Sequence, residues 1–359
     1  MKKILTVFGT RPEAIKLAPL LLKMRGDSEI NSRICVTAQH RDMLDSVLNE
    51  FGIIPDHDLD VMKYGQTLSY VTEAVLNRVD QVLAKEAPDA IIVHGDTSTA
   101  FASALAAFYR GIPVCHVEAG LRSGDITSPF PEEFNRRSLA QLATIHFAPT
   151  EAAVNNLLSE GIAESRIHLV GNTVIDTLLM HSNTVPLRNC KERTVLMTVH
   201  RREHTENDLR SIFTAVKQIC LEDSSVRVIY PLHKSPRIRS VACEILGGVN
   251  GITLTEPLTV AEFHYLLKSC HFVLTDSGGV QEEAAFLGKP LLLVRNNTER
   301  PEGQCIGCVK LIGTNCNRVF KEIRALLYDT LKYEKMSVSC TAFGDGYASD
   351  RIISVLKKM

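Results

Sequence analysis

The sequence predicts an α/β protein of two parallel-sheet domains, and three observations carry that reading. Short runs rich in Val and Ile alternate with helix-length amphipathic segments along the chain, the pattern of parallel strands covered on both faces by helices. The alternation runs twice, on either side of a polar stretch near Pro186–Arg193. The chain has 359 residues, more than one hydrophobic core usually organises.

In the first run the expected strands are Lys3–Phe8, Arg33–Thr37, Ala90–His94, Val114–Val117 and Ile167–Val170. In the second they are Thr194–Thr198, Val226–Pro231, Ile252–Leu254, Phe272–Thr275 and Pro290–Val294. Tyr347–Lys358 reads as a closing helix after the break at Gly344-Asp345-Gly346. The expected division is a Rossmann-like domain over residues 1–170, on which a helix over 346–359 packs back, and a second over 171–345, with a cleft between them. In open sheets of this kind ligands bind beyond the carboxyl ends of the strands, so the strand exits are where chemistry is sought.

Composition narrows the function classes. Lys+Arg 40 against Asp+Glu 41 leaves a net charge of -1, which argues against nucleic acid as a partner while allowing a local anion pocket. Met1–Gly9 lacks a signal-peptide core and cleavage site. No apolar run approaches the roughly 20 residues that span a bilayer, so a cytoplasmic protein without a membrane partner is expected. The 10 cysteines are scattered; Cys305 and Cys308 have CxxC spacing but no second pair follows. The 12 histidines form no HExxH set. A metal is not indicated.

The first expected strand exits into Gly9-Thr10-Arg11-Pro12-Glu13-Ala14-Ile15-Lys16. Pro12 suits the first turn of a helix, and Arg11 and Lys16 would flank its N-terminus, a favourable place for an anion; the alternative is a pair of solvated charges. Neither GxGxxG nor GxxxxGK[ST] occurs, against a dinucleotide oxidoreductase or a P-loop. Later exits read His94-Gly95-Asp96-Thr97 and His116-Val117-Glu118-Ala119-Gly120, and then Ser128-Pro129-Phe130-Pro131-Glu132-Glu133 precedes Asn135 and Arg136 on a helix. Any one of Asp96, Glu118 and Glu132 could be a helix cap. Three on successive exits point to acid-base work, and clustered carboxylates are expected to raise one another's pKa.

In the second run, Thr198-Val199-His200-Arg201-Arg202-Glu203 sets His200 among cations at a strand exit, placed for a phosphate rather than a structural role. Pro231-Leu232-His233 repeats the placement. Leu274-Thr275-Asp276-Ser277-Gly278-Gly279-Val280-Gln281-Glu282-Glu283 is the strongest single signal. A strand, a Ser-Gly-Gly turn and a helix N-terminus offer backbone N–H groups to a phosphate, with Glu283 one turn on for a ribose diol. Asn297-Thr298-Glu299-Arg300-Pro301-Glu302 adds an expected exposed cation, Arg300.

With these motifs in view the chain resembles the bacterial, non-hydrolysing UDP-N-acetylglucosamine 2-epimerases. The resemblance rests on GTRPEAIK (9–16), TAQHR (37–41), VHGDT (93–97), HVEAGLR (116–122), SPFPEE (128–133), GNTVID (171–176), HRRE (200–203), TDSGGVQEEA (275–284), TERPEG (298–303) and GDG (344–346). It implies a fold similar to the B-type glycosyltransferases, with a nucleotide-sugar cleft between the domains. It implies interconversion of UDP-GlcNAc and UDP-ManNAc by elimination of UDP to 2-acetamidoglucal and re-addition, without a cofactor, supplying ManNAc for cell-surface polysaccharide. The catalytic residues it implies are Asp96, Glu118, Glu132, His200 and Lys16. Substrate contacts fall on Asp96, Glu118, His200 and Lys16 among these and on Arg11, Arg136, His233, Leu258, Phe263, Ser277, Gly278, Gly279, Glu283 and Arg300, Leu258 through its backbone. A second UDP-GlcNAc as allosteric activator would meet Gln39, His40, Arg41 and Gln66. A homodimer is implied.

The chain departs from the family pattern at Ala285-Phe286, at Asn296-Asn297 and at Gln304-Cys305-Ile306-Gly307-Cys308. None of these removes a candidate catalytic group. The rival readings are a hydrolysing 2-epimerase that releases ManNAc and UDP, a B-type glycosyltransferase, and a catalytically dead UDP-sugar sensor. The intact segment Arg11–Lys16 disfavours the first. A glycosyltransferase would need an acceptor-binding face and would have no use for three acids around one cleft. A sensor would not need to retain three acids and His200, since binding alone does not require them.

Overall fold

The computed structural model describes residues 1–39, 41–63, 65–181, 193–201 and 203–359. They form two compact units, one of Met1–Met180 with Ala342–Met359 and the other of His181–Thr341.

The first unit is built on seven parallel strands: β1 (Lys2–Phe8), β2 (Ile30–Val36), β3 (His57–Asp58), β4 (Ala90–His94), β5 (Val114–Val117), β6 (Ile145–Ala148) and β7 (Ile167–Leu169). Their order is β3-β2-β1-β4-β5-β6-β7, so the strand order reverses between β1 and β4. Ile4 lies opposite Ala90 and Phe8 opposite Val36. All five residues of β4 are buried, as expected of a strand covered on both faces. One cover is the pair of helices Leu68–Glu86 and Ser98–Tyr109, whose Val75, Val79, Ala100 and Ala104 join Leu5, Val7, Ile91 and Val93 in one core. Each such side chain stabilises the fold by about 1.5–3 kcal/mol for the larger aliphatics.

The segment from Ala342 joins this unit through backbone contacts near glycines. Asn172 N–H donates to Phe343 C=O at 2.7 Å, and Ser349 N–H to Asp176 Oδ1 at 2.8 Å. A Cβ on Gly171, where φ is +89°, would lie 3.0 Å from Gly344 Cα, so only glycine allows this approach. The helix Ala348–Lys358 follows.

The second unit has six parallel strands: β8 (Arg193–Thr198), β9 (Val226–Pro231), β10 (Ile252–Thr255), β11 (Phe272–Thr275), β12 (Leu291–Leu293) and β13 (Val309–Leu311). The order is β10-β9-β8-β11-β12-β13, reversing between β8 and β11. Thr198 lies opposite Thr275 at the exits of those two strands. Val195, Met197, Phe213, Tyr230, Phe272 and Leu274 share its core, and the buried Tyr230 hydroxyl donates to Val199 C=O at 2.6 Å.

Two parallel sheets interleaved with helices are the fold class expected from the sequence. Three strands were not among those expected. β3 has two residues, too few to show a period, while β6 and β13, with four and three, are no shorter than β5 and β12, which were expected. β2 begins three residues before the expected Arg33 because β1 pairs with it from Ile30 onward, whereas β3 pairs only with Cys35 and Val36. Asn31–Arg33 therefore lie along an open stretch of β2 and are half-buried and polar.

Candidate active site

Where strand order reverses, the loops leaving two neighbouring strands part to opposite faces and open a crevice at their carboxyl ends. In the first unit that point lies beyond β1 and β4, and the polar exits lie there. Gly9 follows β1; a Cβ on it would stand 2.1 Å from Thr37 Oγ1 and 2.6 Å from Thr99 Oγ1. The helix Arg11–Arg25 then starts, with Pro12 in its first turn. Glu13, fully buried, turns back on this start. Its Oε2 accepts from Gly9 N–H at 3.0 Å, Thr10 N–H at 2.8 Å and Thr10 Oγ1 at 2.8 Å. Its Oε1 accepts from Thr97 Oγ1 at 2.8 Å, tying the β1 exit to the β4 exit that carries Asp96. Burial pushes the Glu13 carboxyl up to about 7, against the pull of these four donors.

Lys16, one turn further along the same helix, points to Glu118. Its Nζ stands 2.6 and 2.7 Å from the two carboxylate oxygens, with both side chains buried. Glu118 ends the β5 exit with φ +63°, a left-handed conformation that costs a non-glycine residue about 1–3 kcal/mol and clusters at functional sites. Asn172 Nδ2 donates to its Oε1 at 3.2 Å, and His94 Nε2 lies 3.4 Å from its Oε2. Burial lowers His94 to about 4 despite the nearby Glu118 carboxylate, so it is neutral near pH 7. His116, whose Nε2 lies 2.7 Å from Gly95 C=O, is likewise lowered by burial to about 4.

Asp96 faces Arg136, with Nε at 2.8 Å and Nη2 at 2.7 Å from Oδ2, while Asn135 Nδ2 donates to the Asp96 carbonyl at 2.8 Å. Arg136 Nη1 also reaches Glu133, the fully buried member of the Glu132-Glu133 pair, at 3.1 Å. Glu132 is half-buried at the start of the helix Glu132–Leu142. Asp96 and Glu118 are thus each met by their own cation. Arg11 is half-buried, and its pKa is lowered by burial against the pull of Glu50.

In the second unit the reversal lies beyond β8 and β11. Asp276, fully buried, leaves β11 and organises the β8 exit. Its Oδ2 accepts from His200 N–H at 2.7 Å and Arg201 N–H at 2.8 Å. His200 Nδ1 stands 3.4 Å from Oδ1, and His204 Nε2 3.3 Å from Oδ2. Burial works against this charge, but His200, His204 and the Arg201 N–H outweigh it and hold the carboxyl down at about 2. His233 stacks on His200 with ring centroids 5.6 Å apart.

Ser277 is the N-cap of the helix Gly278–Phe286 and makes no side-chain capping bond, so the first-turn N–H groups point outward as an anion site. Arg300, expected as an exposed cation, is buried instead. It contacts Glu282 through Nε and Glu299 Oε1 through Nη1 at 2.6 Å. It packs so closely on Gly278 that a Cβ there would lie 2.6 Å from Arg300 Nη1. Leu258 and Phe263, both half-buried, flank the start of the helix Val260–Ser269. Glu283, buried, accepts from His264 Nε2 at 2.8 Å.

The remaining candidates fall elsewhere in the first unit. Gln39 Oε1 accepts from Thr99 Oγ1 at 3.1 Å, and Gln66 Nε2 donates to the Gln39 carbonyl at 3.2 Å. Arg41 is held by Asp58 at 2.6 Å and Asp60 at 2.8 Å. His40 and Arg202 lie outside the described residues. Cys308 is buried, which raises its thiol to about 11, while Cys305 is exposed. Among the described residues, no helix is long and apolar enough to cross a membrane.

Sequence reasoning passed over Glu13, Asn172, His264 and Asp276 as working residues. Three of them sit inside the motifs quoted above, which was the available signal; His264 gave none.

A family model described as UDP-N-acetylglucosamine 2-epimerase matches residues 22–357. The UDP-N-acetylglucosamine 2-epimerase of Bacillus subtilis (strain 168) is 47% identical over 359 residues, covering 99% of this chain and 94% of the relative. Among solved structures, the S. aureus MnaA–UDP co-structure has a TM-score of 0.95 at 46% identity, covering 100% of this chain and 96% of the other. UDP-GlcNAc 2-epimerase from Neisseria meningitidis bound to UDP-GlcNAc has a TM-score of 0.94 at 41% identity, covering 99% and 100%. A match of this extent makes the protein a member of the UDP-N-acetylglucosamine 2-epimerase family.

Proposed function

We propose that this chain is a non-hydrolysing UDP-GlcNAc 2-epimerase that interconverts UDP-GlcNAc and UDP-ManNAc. The C-2 proton leaves to a carboxylate base, its bonding pair forms the C-1=C-2 double bond, and the C-1–O bond breaks with its pair going to UDP. Re-addition of UDP to the 2-acetamidoglucal returns a proton to C-2 from the other face. Hydrogen leaves and returns as a proton, so the cycle is redox-neutral and calls for no hydride acceptor.

The observation that carries the reading is Glu118, buried in a strained backbone conformation against Lys16 at the reversal point of the first sheet. A C-2 proton is weakly acidic and needs a positioned base; Asp96, Glu118 and Glu132 supply the carboxylates, with no single assignment among them. Lys16 holds charge beside Glu118 and Arg136 beside Asp96, and Arg11 is assigned to the substrate. The departing pyrophosphate develops charge, which His200, His233 and the N–H groups at Ser277–Gly279 are suited to receive, with Arg300 beneath the turn. Leu258 and Phe263 take the uracil and Glu283 the ribose. The UDP-GlcNAc bound by the Neisseria relative supports UDP-GlcNAc as the substrate.

In the same reading the enzyme is a cytoplasmic homodimer that supplies ManNAc for cell-surface polysaccharide. A second UDP-GlcNAc would lie near Gln39, Arg41 and Gln66. The test is a product assay with the purified protein and UDP-GlcNAc. UDP-ManNAc should rise to a constant ratio with its precursor while free sugar stays near background. Free ManNAc and UDP accumulating in step would instead place the enzyme in the hydrolysing branch.

A further inference from the structure

One buried histidine in the second unit has no part in the chemistry above. His264 is 1% exposed and lies on the helix Val260–Ser269, beside Phe263, with their rings 6.4 Å apart. Its Nε2 reaches Glu283 Oε1, on the helix Gly278–Phe286, at 2.8 Å. Its Nδ1 meets His181 Nδ1 at 3.0 Å. A carboxylate only accepts hydrogen bonds, so the bond to Glu283 requires the proton on His264 Nε2. When His264 is neutral its Nδ1 is then an acceptor, and His181 must donate from its own Nδ1. The chain His181–His264–Glu283 therefore fixes the tautomer of each ring it passes through.

We infer that His264 is a positioning residue for nucleoside recognition: it fixes the Glu283 carboxylate toward the ribose and ties it to the helix that carries the uracil contact. The inference rests on the assignment of Glu283 to the ribose made above. A glutamate has three side-chain torsions to restrict before it can accept from a diol, and a hydrogen bond to an ionised group is strong enough to select one arrangement. The bond also joins two helices that would otherwise place uracil and ribose contacts independently. His264 touches no reacting atom, so its loss should weaken nucleotide binding and leave the bond-breaking steps largely alone.

The test uses the full-length enzyme and two ligands, UDP and 2′-deoxy-UDP, titrated by calorimetry. Wild type is expected to prefer UDP by about tenfold, the scale of a lost hydrogen bond to a charged group. His264→Phe should lose most of that preference and raise KM for UDP-GlcNAc by about tenfold, with a much smaller change in kcat. His264→Gln, whose amide N–H can reach the same oxygen of Glu283, should restore the preference. Where His264→Phe melts early, His264→Asn serves in its place, since it keeps a polar group toward His181 but loses the donor to Glu283.

A variant that lacks the donor, melts like wild type and still prefers UDP fully would overturn the inference. So would an unchanged KM. If wild type itself binds the two ligands equally, the ribose role of Glu283 falls and the inference with it. The epimerase reading would survive that result, because it rests on the product assay.

Discussion

Lys16 and Glu118 lie 102 positions apart in sequence, yet Lys16 Nζ stands 2.6 and 2.7 Å from the two oxygens of the Glu118 carboxylate, with both side chains buried. Removing one member of a buried pair strands the other charge, at a cost of about 3–5 kcal/mol. Lys16→Met is therefore expected to lower the melting temperature clearly and to reduce kcat at least a hundredfold, within the range of about 10²–10⁴ for a proton-transfer group. UDP titration should still give near wild-type affinity, because the candidate nucleotide contacts belong to the other unit. A variant with normal turnover would remove this pair from the mechanism.

Asp276→Asn should act on the nucleotide side. The carboxylate accepts from His200 and Arg201 N–H groups and faces two histidines. An amide keeps one acceptor and brings two donors toward those histidines. UDP affinity is expected to fall by about tenfold or more, as measured by calorimetry, because the β8 exit that carries His200 loses its anchor.

Glycine at 278 is a packing requirement. A Cβ there would meet the Arg300 guanidinium at 2.6 Å, and Arg300 is itself held by Glu282 and Glu299. Gly278→Ala should displace the turn that offers its N–H groups to phosphate, raising the Kd for UDP by about tenfold or more, the scale of a lost charge-assisted hydrogen bond. A fluorescence or calorimetric titration reads this directly.

Two buried groups set opposite pH trends in stability. Glu13 is raised by burial from 4.5 to about 7. The folded chain thus holds the extra proton between those values, and this contribution to stability is lost as pH rises through about 7. His94 is lowered from 6.5 to about 4, so its contribution is present above 6.5 and is lost as pH falls through about 4. In melting curves from pH 4.5 to 8, Glu13→Gln should flatten the decline between pH 4.5 and about 7, a term of about 3 kcal/mol. An unchanged slope would show that Glu13 titrates elsewhere.

The parts of the site legible in the sequence are those set by local order. An apolar run followed at once by Asp96, Glu118 or His200 announces a strand exit, and Ser277-Gly278-Gly279 announces a helix start. The pairings were not legible, because they join residues brought close only by the fold. Glu13 reads as an ordinary first-turn acid until Thr97 arrives from another strand. Arg300 reads as a surface cation until Glu282 and Glu299 close around it. His264 occupies a buried position on an amphipathic helix, where a histidine carries no signal of its own. The two-residue β3 was missed for a simpler reason: so short a strand holds no period.

The central claim is that this chain exchanges the C-2 proton of a UDP-sugar through elimination of UDP and its re-addition. Proton NMR of purified enzyme with UDP-GlcNAc in deuterated water tests it most directly. UDP-ManNAc should carry deuterium at C-2, label should enter the recovered UDP-GlcNAc as well, and Glu118→Gln should lose both. UDP-ManNAc that forms with hydrogen retained at C-2 would contradict it.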